Sequence, residues 1–121
     1  MCGIYGAIGP QIESSLNEQI ASSMGTALKR RGPDNIDFIK VPGGFIGHTR
    51  LSLIDLSSAG NQPMMTENKN IISFNGEIYN FIELRKEVNG KLKSNSDTEV
   101  LLRLIELQWM NQSEIKWIPI Y

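Results

Sequence analysis

Cysteine, histidine and net charge are all scarce in this sequence. Its 121 residues include one cysteine and one histidine, and the formal net charge at pH 7 is −1. A single cysteine excludes an internal disulfide framework, and one cysteine with one histidine cannot make a usual zinc site. Near-neutral charge also excludes the basic field typical of nucleic-acid binding. The composition suits one small domain, or a piece of one, in a reducing cytoplasm.

Several kinds of segment are missing as well. No apolar stretch approaches the roughly 20 residues that a membrane-spanning helix needs. The amino terminus lacks a basic stretch followed by an apolar run, so we expect no signal peptide. Neither repeats nor Gly-x-x-x-x-Gly-Lys and Gly-x-Gly-x-x-Gly loops occur. We therefore expect a cytoplasmic protein without a repeat architecture or a common nucleotide-binding loop.

The one cysteine, Cys2, directly follows Met1. Methionine-removing enzymes accept a small residue there, so we expect the mature chain to begin at Cys2, with a thiol and a free α-amino group on one residue. Reference pKa values of about 8.5 for a thiol and about 7.7 to 8.0 for an α-amino group allow that residue to supply both nucleophile and base. The alternative is an incidental cysteine. A cysteine–histidine dyad would need His48, which lies in a predicted strand, and we expect His48 to be structural.

Apolar periodicity predicts a mixture of short strands and helices. The predicted strands cover residues 4–8, 37–41, 45–51, 71–74 and 91–93, with a hairpin across residues 42–44. Helices are predicted from 15 to about 28, from 80 to 88 and from 96 to about 109, each opened by a capping pattern. The buried face of the first includes Ile20, and that of the last includes Leu104 and Ile105.

Polar residues at strand ends and helix starts are the candidate site residues. Arg50 is a charge within an apolar run, so it needs either a ligand carboxylate or an internal ion pair. Asn75-Gly76 follows a predicted strand and could form an oxyanion hole, or a plain turn. Glu77 and Asp97 lie near helix starts, where they could bind a ligand ammonium or act as favourable end charges.

Six segments of the sequence together resemble a known family. They are Met1-Cys2-Gly3-Ile4, Arg31-Gly32-Pro33-Asp34, GHTRLSLIDLS at 47–57, Gly60-Asn61-Gln62-Pro63, FNGEIYNF at 74–81 with Glu83-Leu84-Arg85, and Ser96-Asp97-Thr98-Glu99-Val100. This set is similar to the amino-terminal glutaminase domain of glutamine-hydrolysing asparagine synthetase, a class II glutamine amidotransferase. The resemblance covers residues 2–107.

The resemblance implies an α+β fold and a mechanism. The fold would be a four-layer amino-terminal-nucleophile (Ntn) hydrolase sandwich, with two antiparallel sheets between helices. Cys2 would attack the side-chain amide of glutamine, its α-amino group relaying the proton, while Asn75 and the Gly76 N–H hold the oxyanion. Ammonia would leave, and water would release glutamate from the thioester. The residues implied to bind glutamine are Arg50 (α-carboxylate), Glu77 and Asp97 (α-ammonium), Asn75, Gly76, and the backbone of Leu51, Ser52, Leu53 and Ile54.

The sequence departs from the family after Leu107. Where the family continues into further strands, this chain has residues 111–121, and it contains no Ser-Gly-Gly-x-Asp pyrophosphate-binding loop. We therefore expect an incomplete amidotransferase domain over residues 1–121, with no cofactor or metal of its own, because ATP and Mg²⁺ would belong to an absent synthetase domain. The partners implied are glutamine and a synthetase domain or second copy, and neither nucleic acid nor membrane. The alternative is a non-catalytic remnant or interaction module.

Overall fold

The structure is a computed structural model, and it describes residues 1–9, 14–53, 55–88, 90 and 92–110. Its regular elements are β1 (Gly3–Ile8), α1 (Ser14–Leu28), β2 (Asn35–Val41), β3 (Gly44–Arg50), β4 (Met64–Met65), β5 (Ile71–Ile72), α2 (Phe81–Leu84) and α3 (Asp97–Met110). Helices and antiparallel strands together make an α+β fold, as the family resemblance implies. Among these helices, none is long and apolar enough to cross a membrane.

The larger sheet has three antiparallel strands in the order β1-β3-β2. The predicted hairpin is confirmed, because β2 and β3 are joined through residues 42 and 43 and pair along their whole length. β3 lies in the centre. Because β1 and β3 are antiparallel, the start of β1 is opposite the end of β3, with Gly3 paired to Thr49. This register brings the amino terminus of the chain next to Arg50.

One core forms where α1 covers this sheet. Ala21 and Phe45 are fully buried there with Tyr5, and partly buried apolar residues surround them. The predicted face of α1 is wrong at Ile20, which is 39% exposed. Met24 and Leu28 pack against this core as predicted, whereas the helix position next to Tyr5 has to be small, because a Cβ at Gly25 would lie 2.7 Å from the Tyr5 hydroxyl oxygen. The aromatic side chains of the sheet thus fill the space that a larger helix residue would need.

A second core lies between α2 and α3. Its buried members are Ile78, Leu84, Val100 and Leu104. The predicted face of α3 is wrong at Ile105, which is 39% exposed. Glu106 is buried in its place, and its Oε1 accepts hydrogen bonds from side chains of the β4–β5 connection, namely Thr66 at 2.7 Å, Asn68 at 2.8 Å and Asn70 at 2.9 Å. These bonds, that of Thr66 first, lower the pKa of Glu106.

Three predicted elements need correction. The strand predicted at 71–74 is only Ile71–Ile72, and it pairs with Met64–Met65, which the sequence pattern did not reveal. The helix predicted at 80–88 is one turn of α2 followed by a 3-10 helix at Arg85–Glu87. The strand predicted at 91–93 is wrong for Leu92 and Lys93, because the Lys93 N–H bonds to the Glu99 carboxylate at 3.0 Å instead of to a strand. Lys91 and the tail at 111–121 lie outside the described residues.

Leu104→Ala should lower the free energy of unfolding by about 2 to 5 kcal/mol, since it leaves a cavity in the second core. Leu104 is 3% exposed, whereas its neighbour Ile105 is 39% exposed. Ile105→Ala is the matched control and should cost less than about 1 kcal/mol. Urea denaturation of both variants measures the difference, and equal losses would contradict the burial described for α3.

Candidate functional site

One cavity, with a volume of about 290 Å³, collects most of the residues singled out from the sequence. That volume is at the lower end of small-molecule pockets, which are roughly 300 to 1,000 Å³. Separate parts of the chain meet at its wall. They include Cys2 before β1, Arg50, Leu51 and Leu53 at and after β3, Asn75, Gly76 and Glu77 after β5, and Asp97 at the start of α3.

Cys2 lies at this wall because of the β1–β3 register. The Leu51 N–H donates a hydrogen bond to Cys2 Sγ at 3.3 Å, and the Leu51 carbonyl oxygen lies 3.7 Å from the sulfur. On the other side, Arg31 Nε donates to the Cys2 carbonyl oxygen at 3.2 Å. Met1 also lines the cavity, so the peptide bond between Met1 and Cys2 lies at the same place.

Arg50 is 7% exposed, and its guanidinium is held by neutral oxygens. Nη1 donates to the Ser57 carbonyl oxygen at 2.7 Å and to Asn61 Oδ1 at 2.6 Å, and Nη2 donates to the Asp55 carbonyl oxygen. Gly60 makes room for the group, because a Cβ there would lie 2.3 Å from Nη2. None of the ion pairs found among the described residues includes Arg50. The charge of Arg50 therefore borders the cavity without a direct ion pair to a carboxylate among the described residues. After the hydrogen bond from the Ser57 hydroxyl, which is the main cause, it makes a minor contribution to the lowered pKa of the neighbouring Asp55.

Asp97 is 6% exposed and is the first residue of α3, where the helix dipole favours a carboxylate. Its Oδ2 accepts the Ile78 N–H at 3.0 Å, and its Oδ1 accepts the Thr98 hydroxyl at 3.4 Å. The predicted capping box is altered here. Ser96 Oγ accepts the Thr98 N–H at 3.1 Å, while the Glu99 carboxylate accepts N–H groups of Lys93 and Ser94 in the preceding loop.

Asn75, Gly76 and Glu77 are exposed at the cavity, between two backbone positions that are held by hydrogen bonds. The Phe74 N–H donates to Gln62 Oε1 at 2.7 Å. The Ile78 N–H donates to Asp97 Oδ2, as described above. The short segment that carries Asn75 and Gly76 is thus fixed at both of its ends by buried side chains.

Two predicted contact residues are not in the cavity lining that the structure describes. Ser52 instead lines a neighbouring polar depression, and its N–H donates to Asp34 Oδ2 at 2.7 Å. Ile54 lies outside the described residues. The lining also contains side chains that the sequence reasoning did not select, namely Asp55, Gln62, Phe74, Ser96 and Thr98. Gln62 and Thr98 belong to segments that carried the resemblance, and this was the signal in the sequence that could have selected them.

His48 does not line the cavity but is fully buried in β3. Its Nδ1 lies 3.0 Å from Ser73 Oγ, and its Nε2 has no hydrogen-bond partner among the described residues. Burial, with a smaller contribution from the positive charge of Arg50, lowers the pKa of His48 from 6.5 to about 4. Within the described ranges, no group of three or more His, Cys, Asp or Glu side chains could hold a metal ion.

The burial of His48 predicts a pH-dependent stability. Between its unfolded pKa of 6.5 and its folded pKa of about 4, the unfolded chain binds a proton that the folded chain does not. The free energy of unfolding should therefore fall as the pH drops through this window, by about 3 kcal/mol in total. His48→Asn should remove most of the slope between pH 6.5 and 5, measured by urea denaturation. The pKa values of Asp55 and Glu106 are lowered in the folded chain, so these residues lose their contributions to the free energy of unfolding only at lower pH. An unchanged slope in the variant would contradict the assignment to His48.

Comparison with known proteins gives a consistent result. A family model described as a glutamine amidotransferase domain matches residues 1–113. Asparagine synthetase [glutamine-hydrolyzing] 1 of Arabidopsis thaliana is 38% identical over 108 residues, which are 88% of this chain and 18% of that protein. The Bacillus subtilis protein of the same name is 39% identical over 84% of this chain and 17% of its own length. A putative asparagine synthetase of Methanocaldococcus jannaschii is 38% identical over 86% of this chain and 24% of its own length. The chain thus spans about a fifth of the length of these relatives.

Proposed function

Because the chain belongs to the glutamine amidotransferase domain family, we propose that it hydrolyses glutamine to glutamate and ammonia through Cys2. The observation that carries this proposal is the set of groups around one cavity: a thiol, a guanidinium, an Asn-Gly pair and a carboxylate. Glutamine has one group to match each of them. These are a side-chain carbonyl carbon, an α-carboxylate, a carbonyl oxygen that becomes negative in the reaction, and an α-ammonium.

In the proposed reaction, removal of Met1 frees the α-amino group of Cys2. The sulfur attacks the amide carbon of glutamine, and the α-amino group accepts the thiol proton and passes it to the departing nitrogen, which leaves as ammonia. The side-chain amide of Asn75 and the Gly76 N–H stabilise the oxyanion of the tetrahedral intermediate. Water then attacks the γ-glutamyl thioester, releasing glutamate and restoring the thiol. No step requires a metal or an organic cofactor.

The proposed recognition of glutamine uses the opposite charges of its α-groups. A guanidinium has five N–H donors, and described residues occupy three of those of Arg50. Two donors remain, which is the number that a two-pronged bond to a carboxylate needs. Asp97 and Glu77 supply negative charge for the α-ammonium. Leu51 and Leu53, which border the cavity, complete the site in this proposal.

The wider setting is also a proposal. The relatives are named as glutamine-hydrolysing asparagine synthetases, so we propose that the ammonia serves asparagine synthesis from aspartate, in the cytoplasm, on a synthetase domain that uses ATP and Mg²⁺. The complete fold would be a two-sheet Ntn hydrolase sandwich. The exposure of apolar side chains on β1 supports this proposal, because Ile4 and Ile8 are 47% and 68% exposed. In the proposed assembly, a synthetase domain or a second copy would cover this apolar face of β1. The same exposure supports the second candidate function, a non-catalytic interaction module.

The test of the proposed function is the release of glutamate and ammonia, in equal amounts, when the purified chain is mixed with glutamine. Simple amides without α-groups should react much more slowly, because Arg50 and Asp97 cannot hold them. A chain that lacks Met1, folds cooperatively and releases no glutamate would favour the interaction module.

A further inference from the structure

Gln62 connects the two parts of the cavity that are proposed to act on different ends of glutamine. It is 7% exposed and lines the cavity just before β4. Its Oε1 accepts the Phe74 N–H at 2.7 Å, and its Nε2 donates to Thr98 Oγ1 at 3.1 Å. Phe74 directly precedes Asn75-Gly76, and Thr98 directly follows Asp97. One side chain therefore bonds to both neighbouring segments.

The direction of these bonds follows from the chemistry of the amide. The backbone N–H of Phe74 can only donate, so it requires the oxygen end of the Gln62 amide and turns the NH₂ end toward Thr98. Thr98 Oγ1 accepts from that NH₂ group, which leaves its own proton free for Asp97 Oδ1, 3.4 Å away. The orientation of the Gln62 amide thus determines whether the Thr98 hydroxyl donates its proton to Asp97.

A ring of hydrogen bonds is closed by Asp97 itself. Asp97 Oδ2 accepts the Ile78 N–H at 3.0 Å. The hydrogen bonds run from Phe74 through Gln62, Thr98 and Asp97 to Ile78. The backbone of residues 75–77 joins Ile78 to Phe74 and so completes the ring. Because these side chains are buried, water cannot readily replace a bond that is lost.

We propose that Gln62 is a positioning residue for glutamine hydrolysis, which holds the oxyanion donors of Asn75 and Gly76 in register with the α-ammonium acceptor Asp97. This inference rests on the proposed function and assigns a residue that does not itself react. Its bond to Phe74 places the donors that act in the transition state, and so supports kcat. Its bond to Thr98 places Asp97, which binds the substrate α-ammonium, and so supports KM.

Two variants separate these contributions. Gln62→Glu keeps an acceptor for the Phe74 N–H but, when ionised, cannot donate to Thr98. It should raise the KM for glutamine about tenfold and leave kcat within about twofold. Gln62→Met has a similar length and loses both bonds, so it should raise KM and also lower kcat about tenfold. By NMR, hydrogen exchange of the Phe74 amide should become faster in Gln62→Met and stay slow in Gln62→Glu.

The matched control is Thr66→Val, which removes a buried hydrogen bond to Glu106 outside the cavity lining. Normalised to the folded fraction, its kcat and KM should equal those of the unchanged chain. If the unchanged chain hydrolyses glutamine while both Gln62 variants keep its KM, this inference is wrong and the proposed function stands. A fall in the folded fraction with unchanged KM would show a merely structural role and would also overturn it. If the unchanged chain releases no glutamate, the proposed function fails, and this inference fails with it.

Discussion

Cys2→Ser should reduce the release of glutamate from glutamine by at least about a thousandfold, the scale of loss when a nucleophile is removed. Cys2 is the only cysteine in the chain, so no second thiol can take over the reaction. A serine hydroxyl is far less acidic than a thiol, and no histidine lies at the cavity to activate it, because His48 is buried in β3. Serine is also small, so removal of Met1 should continue.

The variant should lose chemistry while it keeps binding. A serine oxygen can still accept the Leu51 N–H that bonds to the sulfur at 3.3 Å, and the groups proposed to hold glutamine are unchanged. Glutamine should therefore raise the melting temperature of Cys2→Ser as it does that of the parent chain. Hydrolysis at near the parent rate would place the nucleophile elsewhere and refute the role of Cys2.

Arg50→Lys should raise the KM for glutamine about ten- to a hundredfold, the effect expected for one buried charge-assisted hydrogen bond. Lysine keeps the positive charge but has a single nitrogen. It cannot reach the Ser57, Asn61 and Asp55 oxygens that the guanidinium now bonds and also hold a carboxylate with two prongs. The buried oxygens that lose a donor should lower the free energy of unfolding by about 1 to 3 kcal/mol.

Arg103→Lys is the matched control for this change. Arg103 pairs with Glu67, whose side chain is 61% exposed, and with the buried Glu106 at 3.4 Å, and lysine can keep the exposed pair at little cost. Steady-state kinetics should show an unchanged KM for Arg103→Lys. For a simple amide without an α-carboxylate, Arg50→Lys should react as slowly as the parent chain. A KM for glutamine that Arg50→Lys leaves unchanged would mean that Arg50 does not bind the substrate.

Local patterns predicted most of the elements, because each pattern reports a local force. Alternating apolar residues and the turn at 42–43 were sufficient for the β2–β3 hairpin. The period of α3 failed at Ile105 and Glu106, since the Glu106 carboxylate is satisfied by Thr66, Asn68 and Asn70, which lie 36 to 40 residues earlier. Apolar periodicity carries no information about such a distant set of donors.

The candidate site was likewise predictable where the information is local, and not where it depends on contacts between distant residues. Cys2, Arg50, Asn75 and Asp97 were selected by residue type and motif, and the structure brings them to one cavity. Their roles toward glutamine stay predictions. Gln62 was not selected, because its hydrogen-bond partners are 12 and 36 residues away and neither is visible as a local pattern. The two residues of β4 are likewise too few to produce a periodic signal.

The central claim is that Cys2, freed of Met1, is the nucleophile for glutamine. It is tested most directly by intact-mass spectrometry of the chain produced in cells, before and after reaction with a glutamine-like electrophile. We predict a mass without Met1, followed by a single covalent addition that maps to Cys2, and slower addition when glutamine is present in excess. A chain that retains Met1, or an electrophile that fails to add at Cys2, would contradict the claim.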